Sequence, residues 1–247
     1  MGLREPREHQ ASWSFTLYPE AGEGGGCFQP ALRTKAIGGG APDELRAREE
    51  AARRARTKVR RYCAANRLNR FATLTYAGDG CFEHAQLRSD AAGFFRGLRA
   101  GLGGKPLPYL WVPEWHPGGH GLHLHFAVGR YVKHGLIRDV WARGRVHIKL
   151  IGDLPVGSGA LEEARRAASY LSKYVSKNVG DTRIPRLHRY EVAQGFQPEK
   201  VGLRGVSDED VIGQASGLMG GEPSIVWRSS QQEGWQAAPA YWCAWSG

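Results

Sequence analysis

Two histidines separated by one residue, His123 and His125, have the spacing of a metal site. They lie in Leu122–Phe126, where apolar residues and histidines alternate as in a β-strand with one buried face. On such a strand both imidazoles project from the same face. Glu114 precedes them on the first strand of a predicted hairpin and can add a carboxylate oxygen. Two imidazoles and one carboxylate leave coordination positions open for water or phosphate oxygens.

Two alternatives to this ligand set remain open in the sequence. A pair of surface histidines on a half-exposed strand would show the same spacing without binding a metal. His116 and His120, in the loop between the two predicted strands, could also replace one of the ligands.

The second group with chemical potential is a pair of tyrosines, four residues apart and interleaved with lysines. At about 100° per residue, Tyr170, Lys173, Tyr174 and Lys177 share one stripe of a helix. A phenolate can attack phosphorus, and an ammonium group can hold a phosphate or lower the pKa of a phenol. The stripe therefore favours phosphate chemistry, although amphipathic side chains at the edge of a packing face would give the same pattern.

The helix that carries the tyrosines is predicted over residues 161–178, and it has a separate face for packing. Apolar residues recur there at alternating spacings of three and four, which is the pattern of a helix docked on a core. These residues are Leu161, Ala164, Ala168, Leu171 and Val175. The tyrosines are therefore not needed for the main packing contact.

The remaining elements predict an α+β fold with a central antiparallel sheet that carries the histidines and is flanked by helices, one bearing the tyrosines. Strand-like segments rich in β-branched and aromatic residues lie at 71–76, 109–115, 122–128 and 146–151, and further helices are predicted at 43–65 and 84–102. The core is placed at 43–180. Residues 1–42 are interpreted as an extension with one strand, 13–18, followed by glycine-rich loops at 22–26 and 38–40. Residues 181–247 are interpreted as an accessory segment packed on the core, with a strand at 224–228.

Three motifs in this order resemble the HUH (His-hydrophobic-His) endonuclease superfamily. They are FATLTY at 71–76, an acid followed by HLH in GLHLHFAV at 121–128, and YLSKYVSK at 170–177. Two tyrosines four apart with an intervening lysine are similar to those of the two-tyrosine replication initiators, or Rep proteins, of small single-stranded DNA phages and rolling-circle plasmids. The motifs span under half of the chain, and each is short, but their order and their strand and helix contexts are together fairly specific.

The resemblance implies a mechanism for these residues. Glu114, His123 and His125 would bind Mg²⁺ or Mn²⁺, which polarises the scissile phosphate. One tyrosine would attack single-stranded DNA to give a 5′-phosphotyrosine and a free 3′-OH, and the other would perform the later transfer. Lys173, and less directly Lys177, would orient the phosphate. The flanking lysines favour Tyr174 for the first cleavage.

The charge of the chain points to a polyanionic partner. It has 34 Lys and Arg against 24 Asp and Glu, a net charge of +10 and a pI near 9.7. The four cysteines form no CxxC pair, which argues against a zinc ribbon or a disulfide scaffold and for a reducing compartment. Trp111 and Trp141 are considered as base-stacking residues if they are exposed. The candidate DNA-binding residues are Arg53, Arg60, Arg61, Thr73, Thr75, Trp115, Arg143 and Arg145.

The expected function is a replication initiator that nicks and rejoins single-stranded DNA at an origin hairpin. The chain lacks the GxxxxGK[ST] motif of a nucleotide-driven motor, so a host helicase and polymerase are the expected partners. No segment predicts a signal peptide or membrane span, which favours a cytoplasmic location. The resemblance further implies that a bacterial plasmid or phage encodes the protein. A two-tyrosine transposase or relaxase, a non-catalytic DNA-binding regulator on the same fold, and a basic metal-dependent hydrolase remain alternatives.

Overall fold

A computed structural model of the chain describes residues 10–31, 44–150, 159–177 and 190–246. The predicted α+β class is confirmed, because two antiparallel five-stranded sheets and five α-helices form in this part of the chain. None of these helices is long and apolar enough to cross a membrane. The chain divides into two compact units, 43–197 and 1–42 with 198–247, which are described separately below.

The elements follow one another in mixed order along the chain. They are β1 (Ser12–Tyr18), β2 (Glu23–Gln29), α1 (Glu44–Ala65), β3 (Arg70–Tyr76), α2 (His84–Gly101), β4 (Tyr109–Trp115), β5 (Leu122–Val128), α3 (His134–Trp141), β6 (Gly144–Leu150), α4 (Gly159–Lys177), β7 (Glu191–Val192), β8 (Val201–Gly205), α5 (Asp208–Met219), β9 (Ile225–Arg228) and β10 (Ala240–Ala244).

The unit 43–197 is built on a sheet with the order β6-β3-β5-β4-β7. The predicted hairpin forms from β4 and β5, and its register places Glu114 opposite His123. On the other side of β5, Thr75 lies opposite His123 and Thr73 opposite His125. The strands therefore bring one acid, two histidines and two threonines to the same face of the sheet.

Both faces of this sheet are covered by helices. The face that carries His123 and His125 packs against α1 and α4, and the predicted apolar stripe of α4 is confirmed, because all five of its residues are buried. The opposite face carries Leu122, Leu124 and Phe126 and packs against α2 and α3. The histidines are therefore held between a sheet and two helices.

The second unit combines both ends of the chain in a sheet with the order β8-β1-β2-β10-β9. Its apolar face packs against α5 through Phe15, Leu17, Val211, Ala215 and Tyr241. The N-terminal strand, treated in the sequence as an isolated element of an extension, thus pairs with β8 from the C-terminal segment.

The prediction that the glycine-rich run at 22–26 is a loop is wrong, because residues 23–29 form β2 in the middle of the second sheet. Glycine composition favours turns, but here the missing side chains allow close packing. A Cβ at Gly26 would lie 1.7 Å from the carbonyl oxygen of Ser14, and one at Gly24 would lie 2.4 Å from the Phe15 ring. Tertiary packing therefore overrides the local preference.

This packing predicts that Gly26→Ala destabilises the protein by about 1–3 kcal/mol or more, because the backbone of β1 must move to admit the methyl group. Gly202→Ala in β8 is the matched control, since a Cβ there meets no atom within 4 Å. Thermal unfolding should show a lower Tm for the Gly26 variant alone. Equal Tm values for the two variants would contradict the explanation.

Candidate functional site

The two histidines are oriented by hydroxyl groups on the neighbouring strand. The Thr73 Oγ1 atom lies 2.9 Å from His125 Nδ1, and Thr75 Oγ1 lies 3.4 Å from His123 Nδ1. These contacts follow from the register of β3 against β5, which pairs each threonine with its histidine. When Nδ1 is engaged in this way, the Nε2 atom is left for a further partner, as in histidines that ligate metals.

The Nε2 atoms of the two histidines have different surroundings. His125 Nε2 is 2.6 Å from Glu114 Oε2, and both side chains are largely buried. His123 Nε2 is buried and has no hydrogen-bond partner in the described residues. Burial, followed by the charges of His116 and His125, lowers the pKa of His123 to about 4. The His123 imidazole is therefore neutral at pH 7, which is the form that binds metals.

This donor set fits a divalent cation. The contact between His125 Nε2 and a carboxylate oxygen requires a proton or a cation between them, and His123 offers a second neutral nitrogen. Among the described residues, however, no three His, Cys, Asp or Glu side chains are spaced as a group that could hold a metal ion, so the fit rests on the types of donor atom and not on their spacing.

The alternative ligands lie beside the same site. The His116 ring stacks on His123 with 4.4 Å between centroids, and the His120 ring lies 5.4 Å from His116. His116 Nδ1 accepts a hydrogen bond from the Gly118 amide at 2.9 Å. The structure thus keeps both loop histidines near the candidate metal ligands.

The tyrosine pair of α4 lies over the histidine face. The Tyr174 ring stacks on the His125 ring with 4.1 Å between centroids, and the Tyr174 hydroxyl donates a hydrogen bond to Tyr170 Oη at 2.8 Å. Burial, and then this hydrogen bond, raises the pKa of Tyr174 above its usual value. The two phenols are therefore directly coupled, and one of them contacts a candidate metal ligand.

Phe71 contacts both His125 and the two tyrosines, a role that no sequence pattern predicts. Its ring contacts His125 at 5.5 Å, Tyr170 at 4.9 Å and Tyr174 at 6.2 Å between centroids. The pattern of the FATLTY strand shows only that Phe71 faces away from Ala72. Its contacts with α4 depend on how the helix crosses the sheet.

The lysines of the tyrosine stripe are only partly described. The Lys173 side chain is exposed, and its Nζ lies 5.8 Å from the centre of the Tyr170 ring, at the outer edge of cation–π distance. Lys177 is the last residue of α4, and its side chain lies outside the described residues.

The arginines proposed to contact DNA fall into different environments. Arg53 is exposed on α1, whereas Arg60 and Arg61 on the same helix are partly buried. Arg145 is exposed on β6 and lies opposite Thr75, on the histidine face. Arg143 forms an ion pair within the unit, because its Nε lies 2.9 Å from the buried Asp90 carboxylate.

Of the three tryptophans considered for base stacking, two cannot perform it. Trp111 and Trp141 are 3% and 0% exposed, so the exposure on which base stacking depends is not met and both are core residues. Trp115 is half-buried, packs at the edge of the α2 side of the sheet, and has Phe82 and His84 as ring neighbours. Trp115 therefore lies on the face opposite the histidines, since it directly follows Glu114 on β4.

The comparisons with known proteins bear on this unit of the chain. No curated protein and no solved structure matches the chain. Residues 69–179, just under half of the chain, match a family model, and this segment contains β3, the β4–β5 hairpin and α4 with both tyrosines. The resemblance read from the three motifs is therefore confirmed, because the family that residues 69–179 match is described as Replication-associated protein ORF2/G2P.

Proposed function

We propose that this protein is a replication initiator that nicks and rejoins single-stranded DNA at a rolling-circle origin through a 5′-phosphotyrosine intermediate. The family match supports a role in replication. The observation that carries the chemistry is the contact between the Tyr174 ring and His125, which joins the tyrosine helix to the acid and the two histidines.

In this proposal Glu114, His123 and His125 hold Mg²⁺ or Mn²⁺. The bound ion would supply Lewis-acid polarisation of a phosphodiester. The support is the chemistry of the donor set: a carboxylate, two imidazoles whose Nδ1 atoms face threonine hydroxyls, and a buried His123 Nε2 without a hydrogen-bond partner among the described residues.

The threonine contacts give a test of this arrangement that does not require cleavage. Thr73→Val preserves the shape of the side chain but removes the oxygen beside His125 Nδ1. Partners of this kind contribute about 10–100-fold to metal affinity or activity, so Mn²⁺ binding measured by calorimetry should weaken by that factor. Thr73→Ser should restore it.

Thr16→Val, on the second sheet, is the matched control and should bind Mn²⁺ as the wild type does. The effect of Thr75→Val should be smaller than that of Thr73→Val, because the Thr75 Oγ1 to His123 Nδ1 distance is 3.4 Å rather than 2.9 Å. Wild-type affinity in both β3 variants would show that the hydroxyls do not orient metal ligands.

The first covalent step is assigned to Tyr174. Its phenol gives up its proton to solvent, the phenol oxygen forms a bond to phosphorus, the bond from phosphorus to the 3′-oxygen breaks, and the leaving oxygen takes up a proton to give a free 3′-OH. The ring contact with His125 supports this choice of nucleophile.

Tyr170 is the proposed nucleophile of the second transfer, in which its deprotonated oxygen forms a new 5′-phosphotyrosine and releases a 3′-OH. That 3′-OH attacks the first phosphotyrosine, and the bond from phosphorus to Tyr174 breaks to free the Tyr174 hydroxyl. The hydrogen bond between the two hydroxyls supports the pairing, because it places the second phenol directly beside the first. Lys173, close to Tyr170, and Lys177 would hold the phosphate.

The charge distribution supports DNA binding by the unit that carries the site. Residues 43–197 hold 27 Lys and Arg against 14 Asp and Glu, whereas the rest of the chain holds 7 against 10. The exposed Arg53 and Arg145 are part of this excess. The origin hairpin, a host helicase and a polymerase remain the proposed partners.

This excess predicts that the affinity for single-stranded DNA falls steeply with salt. Each neutralised phosphate contributes about 0.7 to the slope of log K against log salt, so three contacts give a slope near −2. Fluorescence anisotropy at several salt concentrations measures it, and Arg145→Ala should reduce the slope by about 0.7. A complex insensitive to salt would show that the positive charge has another purpose.

The proposed function is tested by incubating the full chain with Mn²⁺ and labelled single-stranded oligonucleotides. A denaturation-resistant protein–DNA adduct is expected, with a free 3′-OH on the released strand. DNA hydrolysis without an adduct would favour the metal-dependent hydrolase, and binding without cleavage the regulator. Joining of transposon ends rather than of origin strands would favour the transposase.

A further inference from the structure

A cavity lies on the face of the β6-β3-β5-β4-β7 sheet that is opposite His123 and His125. It has no part in the chemistry proposed above. Its volume is about 110 Å³, and its floor consists of buried apolar side chains. These are Phe71, Ala72, Phe126, Val128, Val132 and Ile137. Since an enclosed apolar cavity of about 150 Å³ accommodates benzene, this smaller cavity, which is open at its mouth, has room for no more than one aromatic ring. It is too small for a ligand that needs the roughly 300 Å³ or more of a drug-sized site.

The mouth of this cavity is cationic and aromatic. Arg70, Arg130, Tyr131 and His134 line it, and no carboxylate among the described residues does so. Tyr131 is 67% exposed, and the Arg70 guanidinium lies 5.7 Å from the centre of its ring. An apolar slot for a ring, bordered by cations and an exposed phenol, suits a planar base attached to a phosphate.

The cavity lies near the edge of the sheet formed by β6, and around this edge it is close to the histidine face. Ala72 in its floor is followed by Thr73 at the histidine site, and the Ile148 that lines it lies between His147 and Lys149 on β6. β6 is an edge strand among the described elements, and on the histidine face it presents the exposed Arg145 and His147. A strand leaving the histidine face over β6 can therefore reach the cavity within a few nucleotides.

We propose that this cavity, the Tyr131 pocket, binds one unpaired base of the DNA strand on which the protein acts, with Arg130 holding the adjacent phosphate. A pyrimidine is the expected base, because the volume admits a single ring. This inference rests on the proposed function, and it adds an anchor that holds the substrate strand at a distance from the cleaved bond.

The test compares two strands of equal length and charge: oligothymidine and the same backbone with abasic spacers. The wild type should bind oligothymidine more tightly, and Tyr131→Ala should weaken that binding by roughly 5- to 100-fold while leaving abasic binding unchanged. Because Tyr131 is exposed, its replacement does not open the core. Phe82→Ala, which removes another exposed aromatic ring, should leave both affinities unchanged.

The role of Arg130 has its own matched control in the same loop. Lys133 is exposed and does not line the cavity, so Lys133→Ala removes one charge without affecting the pocket. Arg130→Ala should weaken binding of oligothymidine more than Lys133→Ala does. A strand carrying 5-iodouracil should crosslink under light to the segment 129–134 of the wild type.

Several results would contradict the proposal that the Tyr131 pocket binds an unpaired base. Equal affinity of the wild type for the two strands would do so, as would equal losses on both strands in Tyr131→Ala. Saturation by thymidine monophosphate without competition from oligothymidine would instead indicate a free-nucleotide site. These outcomes are separate from the adduct assay, since cleavage can occur without base recognition, and base-dependent binding can occur without cleavage.

Discussion

Replacing both tyrosines of α4 by phenylalanine is expected to abolish the covalent adduct with single-stranded DNA. The phenol oxygens are the proposed nucleophiles, and phenylalanine keeps the ring contacts with Phe71 and His125 while removing only those oxygens. The fold and the affinity for DNA should therefore persist. Denaturing gel electrophoresis with a labelled strand and Mn²⁺ measures the adduct, and far-UV circular dichroism monitors the fold.

The single variants should separate the two transfers. Tyr174→Phe should lose the first cleavage, by about 10³-fold or more, whereas Tyr170→Phe should still cleave but fail to complete the second transfer. Tyr190→Phe is a control, because that residue is also partly buried in the same unit but lies outside α4. An adduct formed by the double variant would show that the nucleophile lies elsewhere.

The hairpin and the tyrosine helix were predictable because their signals are local. The alternation in β5 shows which residues share a face, and a hairpin brings the preceding acid close to the histidines. The structure places Glu114 opposite His123 and in contact with His125, and it buries the apolar stripe of α4 as predicted. Each inference needed only the periodicity of one element or a short connection.

The threonine and Phe71 contacts were not predictable in the same way. They require that β3 pair with β5, a strand about fifty residues later, and that α4 cross this pair. No periodicity within one segment encodes which strands become neighbours. From the sequence alone Thr73 and Thr75 are candidates for DNA contact, and that role remains a prediction beside their observed contacts with the histidines.

The second unit shows a different limit of sequence reasoning. The composition of β2, which is rich in glycine, predicts a loop. The reason for these glycines is that β1 packs too closely against them to admit a side chain, and this contact is known only from the structure. Pairing of β1 with β8 joins segments that are about 190 residues apart in the chain, as for Ser14 and Arg204. Long-range strand pairing leaves no local signature beyond a run of suitable residues.

Loss of the two histidines is expected to have the second large effect. The double variant with His123→Ala and His125→Ala should lose Mn²⁺ binding, because the proposed ion keeps only the Glu114 oxygen among its three ligands. Nicking should fall by about 10³-fold or more, since a Lewis acid contributes several kcal/mol to this kind of reaction. Calorimetry with Mn²⁺ alone measures binding independently of cleavage.

Affinity for single-stranded DNA should survive in this variant, because the positive charge that binds phosphates lies mostly on other side chains of the same unit. Because His125 is buried, its replacement by alanine leaves a void that can destabilise the fold. A second double variant, with His123→Asn and His125→Asn, leaves a smaller void. His84→Ala, an imidazole outside the histidine face, is the matched control and should bind Mn²⁺ normally. If the folded double variants bind Mn²⁺ and nick as the wild type does, these histidines are not the ligands, and the loop pair His116 and His120 becomes the next candidate.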